Sequence, residues 1–196
     1  MEKLIDLESV KLILKERLKP KRYLHSIGVS NTSVRLAKLY GVCEKKAEIA
    51  GILHDYARNL SHDELSQYIN EFKIATDEVI DTQVDLAHGL IGAELVKNKF
   101  NIEDEDILNA IRYHTTGRKH MSKLEKIIYL ADYIEPNRKA AEVEKIRSIA
   151  LYDLNKAVLM ALDNCIKYVI KKGLLLHNNS ILARNSLILE RISVKT

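Results

Sequence analysis

The stretch AEIAGILHDYA, residues 47–57, decides the fold because its apolar residues recur at helical spacing up to the adjacent His54 and Asp55. Both polar side chains can reach a common cavity, one as an imidazole ligand and one as a carboxylate able to bridge two metal ions. Imidazole and carboxylate suit zinc, iron, manganese or nickel, whereas closed structural zinc sites favour thiolates. We therefore predict a helix from about Glu44 to Ala57 that ends at a metal site.

Four other segments carry further candidate ligands, namely His25, His88, His114 and Asp132. Each lies within or at the end of a predicted helix. A buried aspartate needs a metal, a cation or several donors, so the alternative for Asp132 is an ion pair with a neighbouring Lys or Arg. The glycines after His88 indicate either a ligand position or only close helix packing. Together, four imidazoles and two carboxylates directed at one core predict one or two first-row metal ions.

The remaining three histidines are not expected to be ligands. His62 lies in the first turn after a helix cap and should be solvated, and His120 lies in a polar segment that does not force it inward. His177 precedes a polar cap and should have a structural role.

Composition and charge describe an ordinary globular protein. Of its 196 residues, 46% are apolar and 30% are charged, which is enough apolar sequence for a sizeable core. The net charge of +4 permits an anionic small-molecule substrate and does not predict a DNA or RNA partner. Cys43 and Cys165 form no CxxC pair, the N-terminus has no apolar signal core, and no apolar run approaches about 18 residues. We therefore expect a cytoplasmic protein with no membrane partner.

Helical patterns cover nearly the whole chain, which has two prolines, seven glycines and no clear strand alternation. We predict an all-α fold in which residues 1–196 form one domain, with a core at about 20–138 and C-terminal helices at about 139–196 packed on it. Ser61 with Glu64, and Ser122 with Glu125, form the capping boxes of two helices. Residues 73–85 should form a loop with a short helix. The other helices are predicted near residues 7–18, 20–41, 44–57, 86–100, 103–114, 122–136, 140–151, 153–172 and 180–191.

The order of these ligands along the chain resembles that of the HD-domain superfamily of metal-dependent phosphohydrolases. The residues around the ligands carry a more specific likeness, over roughly residues 7–172. They are similar to a bacterial branch whose members are symmetrical diadenosine tetraphosphate hydrolases. The segments that carry this likeness are RYLHSIGVSNTSVRLAKLYG (22–41), KAEIAGILHDYARNL (46–60), AHGLIGAELV (87–96) and YHTTGRKHMSKLEKIIYLADYIEPNR (113–138).

The resemblance implies a helical bundle with its metal site between helices and a dinuclear centre, with iron as the expected metal. Asp55 would bridge the two metals and, with Arg58, act in catalysis; Arg58 replaces a lysine that is common at this position, and either residue is cationic. The implied reaction is hydrolysis of the four-phosphate chain into two ADP molecules. The implied ligands are His25, His54, Asp55, His88, His114 and Asp132.

A polyphosphate substrate requires cations beyond the metal ligands. Six residues near the ligands could supply them, of which we expect about half to contact substrate: Arg22, Arg58, Arg118, Lys119, Lys123 and Arg138. Arg58, Arg118 and Arg138 are the preferred three. Thr115 and Thr116 could add hydroxyl donors, and Gly117 could allow close approach of the backbone to phosphate.

Tyrosines that neighbour the proposed ligands could stack on the bases of a nucleotide. Tyr56, Tyr113 and Tyr133 each have this position, and the alternative for each is ordinary helix packing. Tyr133 is the tyrosine that we include among the candidate substrate contacts.

Three other functions remain open at this level. Another HD-type hydrolase could act on deoxynucleotides, guanosine alarmones or cyclic dinucleotides with the same ligands. A di-iron oxygenase could use this ligand arrangement on a small alcohol, with dioxygen as co-substrate. A non-catalytic nucleotide-sensing module could keep the metal for stability alone. The sequence also leaves a homodimer open.

Overall fold

The computed structural model describes residues 6–193, which contain α-helices, one 3₁₀ turn and no β-strand. The all-α prediction is confirmed. The predicted domain also includes residues 1–5 and 194–196, which lie outside the described residues. The helices are α1 (Leu7–Arg17), α2 (Pro20–Tyr40), α3 (Glu44–Leu53), α4 (His62–Glu71), α5 (Glu78–Thr82), α6 (His88–Phe100), α7 (Glu105–Arg112), α8 (Lys123–Ile134), α9 (Ala141–Ile149), α10 (Leu154–Lys171) and α11 (Asn178–Ser193).

Most predicted helix ends agree with the structure. Both capping boxes form, with each serine side chain accepting from the backbone three residues later and each glutamate returning to the cap. Helix α2 begins at Pro20 and ends before Gly41, whose φ of 66° is the left-handed cap that glycine favours. The segment predicted as a loop with a short helix contains α5, followed by a 3₁₀ turn at Val84–Ala87.

The prediction that the third helix continues to Ala57 is wrong. Helix α3 ends at Leu53, and residues 54–59 form successive tight turns. The cause lies in His54, whose ring Nδ1 is 2.8 Å from the carbonyl oxygen of Gly51. In a continued α-helix that oxygen would accept from the backbone of Asp55, so the imidazole competes with the next helical hydrogen bond. The predicted helix near 103–114 is shortened in the same way and ends at Arg112.

Helices α2, α3, α7 and α8 pack around one apolar core, and the metal-site residues lie at its edge. The crossing of α2 and α3 is close because Gly51 has no side chain: a Cβ there would lie 2.9 Å from the Cα of Ser30. The core continues without a break into the C-terminal helices through Ile146 of α9, Leu162 of α10 and Leu187 of α11. Within residues 6–193 no helix is long and apolar enough to span a membrane.

Candidate metal centre

Three histidines share one local arrangement at the end of a helical turn. The Nδ1 atoms of His54, His88 and His114 lie 2.8, 2.5 and 2.7 Å from the carbonyl oxygens of the residues three positions earlier. A carbonyl oxygen can only accept, so each Nδ1 carries the proton and each Nε2 keeps a lone pair. The short-range backbone geometry therefore sets the tautomer that a metal ligand needs.

The fourth histidine reaches the same arrangement by a different contact. His25 lies inside α2, and its Nδ1 is 3.2 Å from a carboxylate oxygen of Glu135, the residue that follows α8. Its Nε2 therefore also faces the space between the helices. In all four histidines Nδ1 faces an acceptor and Nε2 faces the cluster. The acceptor is a side chain for His25 and a backbone carbonyl for the other three.

The four Nε2 atoms converge on the carboxylate of Asp55, which has two differently occupied sides. Oδ1 lies 3.3 Å from Nε2 of His88 and 3.7 Å from Nε2 of His114. Oδ2 lies 3.3 Å from Nε2 of His54 and 3.7 Å from Nε2 of His25. One carboxylate oxygen thus faces each pair of imidazoles, which is the arrangement expected of a carboxylate between two cations.

The spacing and protonation of these atoms fit a metal ion. Ligands about 2.1 Å from a shared metal lie about 3.0 Å apart at right angles and about 3.4 Å apart at the tetrahedral angle. The separations here, from 3.0 to 3.7 Å, are close to these values. Nε2 of His54 is buried and has no hydrogen-bond partner among the described residues; the same is true of Nε2 of His25, which lies 3.0 Å from Asp132 Oδ1 without hydrogen-bond alignment. Unpaired buried nitrogens are costly unless a cation takes their lone pairs. Three sets of ligand atoms each lie close enough together for one ion, and together they contain all six predicted ligands.

The electrostatics favour the metal-binding protonation states of Asp55 and His88, whereas at His25 burial is outweighed by Asp132, Glu135 and Asp55, which raise the pKa of its imidazole. Burial acts to raise the pKa of Asp55, but the imidazoles of His54, His114 and His88 outweigh it and hold that pKa well below its usual range. Burial lowers the pKa of His88. Both effects keep the carboxylate charged and that imidazole neutral near neutral pH, as ligands must be.

Asp132 combines the two predicted alternatives. Its Oδ1 lies 3.0 Å from Nε2 of His25 and 3.1 Å from an arginine nitrogen of Arg138. Burial opposes ionisation of Asp132, yet the nearby imidazoles of His25, His54 and His114 outweigh it and lower the pKa of this carboxyl group. One oxygen of this carboxylate therefore contacts both a histidine of the cluster and an arginine.

Three of the predicted cations lie at the cluster. Arg22 donates to Asp55 Oδ2 at 2.7 Å, Arg138 contacts Asp132, and Arg58 lies 3.7 Å from Asp85. All three line one cleft of about 710 Å³, which we call the basic cleft. Its walls include Lys19, Lys21, Arg22, His25, Arg58, Asp85, Glu135 and Arg138.

The other predicted cations are directed elsewhere. Arg118 makes a two-pronged ion pair with Glu125, at 2.6 and 3.2 Å, and stacks on Tyr113. Lys119 and Lys123 are exposed, and none of the three is among the described residues that line the cleft. Gly117 faces α11, because a Cβ there would lie 3.0 Å from Ala183 Cβ.

A second cavity, of about 550 Å³, is lined by two other candidate ligands, His114 and Asp132. Thr115 and Thr116 also line it, and Thr115 Oγ1 is 3.2 Å from His114 Nε2. We call it the apolar cavity because most of its remaining wall is aliphatic or aromatic. That wall includes Tyr133, Val143, Asn164, Cys165, Ile166, Tyr168, Val169, Leu174, Leu176 and His177.

The tyrosines that neighbour the ligands lie in different surroundings, and two of the remaining histidines lie away from the cluster. Tyr133 lines the apolar cavity, whereas Tyr56 is buried between Phe100 and Arg17 and serves packing. His62 is exposed, and His120 contacts Ser186 of α11, away from the cluster.

Three residues of this region were not predicted from the sequence. Glu135 supports His25, His177 lines the apolar cavity while pairing with Asp77 at 3.3 Å, and Asn164 donates to the Tyr133 hydroxyl at 3.2 Å. Glu135 lies three residues after Asp132 in the sequence, so its position near a candidate ligand could have identified it. Asn164 has no such signal, because its helix α10 reads as a plain amphipathic helix.

Comparisons with known proteins agree with this geometry. Residues 22–137 match the model of the HD domain family, and this range contains all six candidate ligands. The chain belongs to the HD-domain family. Within that family it groups with the symmetrical bis(5'-nucleosyl)-tetraphosphatases, as the resemblance indicated. The protein of that description from Halalkalibacterium halodurans is 45% identical over 179 residues, which cover 91% of this chain and 95% of the relative.

Two further relatives support the same grouping. The symmetrical bis(5'-nucleosyl)-tetraphosphatase of Bacillus subtilis is 42% identical over 175 residues, covering 89% of this chain and 94% of that protein. A crystal structure from Clostridium acetobutylicum, described as a predicted HD superfamily hydrolase involved in NAD metabolism, superimposes with a TM-score of 0.91 at 46% identity. The superposition covers 94% of this chain and 98% of the Clostridium acetobutylicum chain.

Proposed function

We propose that this protein hydrolyses diadenosine tetraphosphate symmetrically and releases two ADP molecules, with bound metal. The observation that carries the proposal is the two-sided environment of Asp55, with a pair of imidazoles on each carboxylate oxygen. Relatives at 42–45% identity over most of their length are symmetrical bis(5'-nucleosyl)-tetraphosphatases, which supplies the substrate class.

We assign the ligands to two metal positions that share Asp55. His25 and His54 would hold the first and His88 and His114 the second, because these pairs face different oxygens of Asp55. We place Asp132 at the first position because its Oδ1 lies 3.0 Å from Nε2 of His25. We propose iron as the native metal, since imidazole with carboxylate suits it. When bound, such a pair activates water and neutralises phosphoanhydride oxygens.

The two cavities, each lined by candidate ligands, would accommodate the two ends of a dinucleoside polyphosphate. The basic cleft would bind phosphates through Arg22, Arg58 and Arg138, whose guanidinium groups form bidentate contacts with phosphate oxygens. The apolar cavity would take a nucleoside, with Tyr133 as the stacking surface. Arg138 lines both spaces, so it is placed where the phosphate chain would cross from one to the other.

The protein's own residues then position the substrate for cleavage in the middle of the chain. Arg138 and Arg58 fix the phosphates on one side, and Thr115 can donate to an oxygen on the other. A four-phosphate chain held at both ends places its central anhydride at the cluster. Attack there gives two identical products, whereas a shift by one phosphate would give ATP and AMP.

Further proposals concern the setting of the enzyme. We expect it in the cytoplasm, where its substrate would be a free nucleotide, and we expect no DNA or RNA partner because its net charge is only +4. A homodimer is compatible with the proposal and not required by it, since all six ligands come from one chain.

The test is an anaerobic incubation of the iron-loaded protein with diadenosine tetraphosphate, with products separated by anion exchange. ADP as the sole product, lost in a chelated control, supports the proposal. ATP plus AMP would contradict the symmetric cleavage and keep a hydrolase. Metal binding without turnover would favour a different nucleotide substrate or a sensing role.

A further inference from the structure

Glu135 is a buried carboxylate whose two oxygens have separate partners. The residue is 2% exposed and follows the last residue of α8. Oε1 faces the Nδ1 of His25 at 3.2 Å. Oε2 accepts from both the backbone and the side-chain nitrogen of Asn137, at 2.8 and 2.9 Å.

The surroundings of Glu135 are shaped to hold it. A Cβ on Gly28 of α2 would lie 2.7 Å from Oε2, so the helix accepts the carboxylate only where it has no side chain. Arg138 lies 3.9 Å from Oε1, and Arg147 donates to the backbone oxygen of Glu135 at 2.6 Å. Burying a carboxylate is costly unless its contacts serve a purpose.

This contact distinguishes His25 from the three other histidines of the cluster. Their Nδ1 atoms face neutral backbone carbonyls, whereas the Nδ1 of His25 faces a carboxylate. A charged acceptor makes the imidazole a stronger base and fixes its tautomer more firmly. The metal position that includes His25 therefore has a stronger nitrogen ligand than the position formed by His88 and His114.

We propose that Glu135 is a positioning residue that fixes the Nδ1–H tautomer of His25 and strengthens the first of the two metal positions. The assignment of two metal positions is that of the proposed function, and the contact between Glu135 and His25 stands independently of it. Glu135 acts through His25 and does not itself contact the metal.

Glu135→Gln is the informative substitution because an amide cannot accept on both of its terminal atoms. If its oxygen stays with the two Asn137 donors, its NH₂ group faces His25 and selects the opposite tautomer, in which Nε2 is protonated. If its oxygen turns to His25, the NH₂ group opposes both Asn137 donors. Either outcome weakens the support of His25 while side-chain volume is retained.

Two measurements test the proposal without relying on turnover. Nitrogen NMR of the imidazoles in metal-free protein, at about pH 8.5 where imidazoles are neutral, reports each tautomer. We expect Glu135→Gln to change the His25 signals and leave those of His54, His88 and His114 in place. Metal titration should show an affinity loss of about 10- to 100-fold at one position.

Two control variants separate this effect from simple destabilisation. Glu125 is equally buried, at 1% exposure, and pairs with Arg118 away from the cluster, so Glu125→Gln should lower stability without changing metal affinity. Glu135→Asp keeps the charge and should restore part of the affinity. Unchanged His25 signals together with unchanged metal affinity in Glu135→Gln would overturn the proposal. A wild type that binds metal without cleaving diadenosine tetraphosphate would contradict the proposed function and leave this proposal in place.

Discussion

The interior around Asp55 and the interior around Leu162 are both buried but are stabilised in different ways. His54 and Asp55 are 0% and 2% exposed and sit among unpaired imidazole nitrogens. Leu162 is 0% exposed and packs among aliphatic side chains of α9, α10 and α11. The apolar region gains stability from burial alone, whereas the polar region is complete only with a cation. The comparison predicts that the apolar region mainly stabilises the fold and that the polar region mainly binds metal. Substitutions in each region can test this division.

The largest effect is expected at Asp55, which faces all four imidazoles. Asp55→Ala removes the shared carboxylate and should lower turnover of diadenosine tetraphosphate by at least about 10³-fold, since metal assistance supplies several kcal/mol to the barrier. Metal content, measured by mass spectrometry after dialysis, should fall with it. A variant that kept both its metal and its rate would show that the site is wrongly assigned.

Leu162→Ala should have the opposite profile. Truncating a fully buried leucine costs about 2–5 kcal/mol of unfolding free energy through lost burial and the cavity that remains. Because Leu162 belongs to the apolar core and lines neither cavity among the described residues, metal bound per folded molecule should not change. Urea unfolding and metal analysis on the same sample measure both quantities, and a loss of metal from the folded variant would show that the two regions are coupled.

Removing the metal with a chelator should lower the free energy of unfolding only through the lost metal contacts of the polar region. Metal at 100 to 1,000 times its dissociation constant stabilises the folded state by about 3–4 kcal/mol, and removing it reverses that gain. The loss should be the same in the wild type and in Leu162→Ala, because effects at independent sites add. Unequal losses in a thermal or urea series would contradict the separation of the two regions.

Two arginines sharpen the comparison at the level of substrate binding. Arg138→Ala should raise the KM for diadenosine tetraphosphate by about tenfold, because a guanidinium at both cavities is lost; the equivalent energy is about 1.4 kcal/mol. Arg118→Ala should change KM much less, since Arg118 is paired with Glu125. Steady-state kinetics decide this, and an equal rise in KM for both would restore the sequence-based expectation for Arg118.

The smallest effect concerns the acid sensitivity of the metal-free protein. Burial lowers the pKa of His88 in the folded state, so the unfolded chain binds a proton there first as the pH falls below about 6.5. The His88 imidazole therefore lowers the free energy of unfolding as the pH falls. Metal-free His88→Gln should lose less unfolding free energy than metal-free wild type between about pH 7.5 and 5.5, by urea unfolding. An identical loss in both proteins would count against a buried neutral imidazole.

The prediction from sequence was most accurate where short-range interactions decide the structure. Helical periodicity located nearly every helix, and both capping boxes formed at the predicted serines. The six candidate ligands could be proposed from the sequence because their chemistry and their positions in helical segments are visible in the chain, and the structure brings them together in overlapping groups. The extension of α3 past Leu53 was wrong because periodicity cannot show that the His54 ring takes the Gly51 carbonyl.

The sequence by itself indicated which six side chains could bind metal, and contacts only three residues apart set the tautomer of three of its histidines. Only the tertiary structure decided that the two oxygens of Asp55 face different imidazole pairs and that Arg118 pairs with Glu125 rather than lining a cavity. It also brought Glu135 to His25 across 110 positions of the chain. Local hydrogen bonds and periodicity act within a helical turn, whereas these contacts depend on how residues from different turns and helices pack together, as α2 and the end of α8 do at His25 and Glu135.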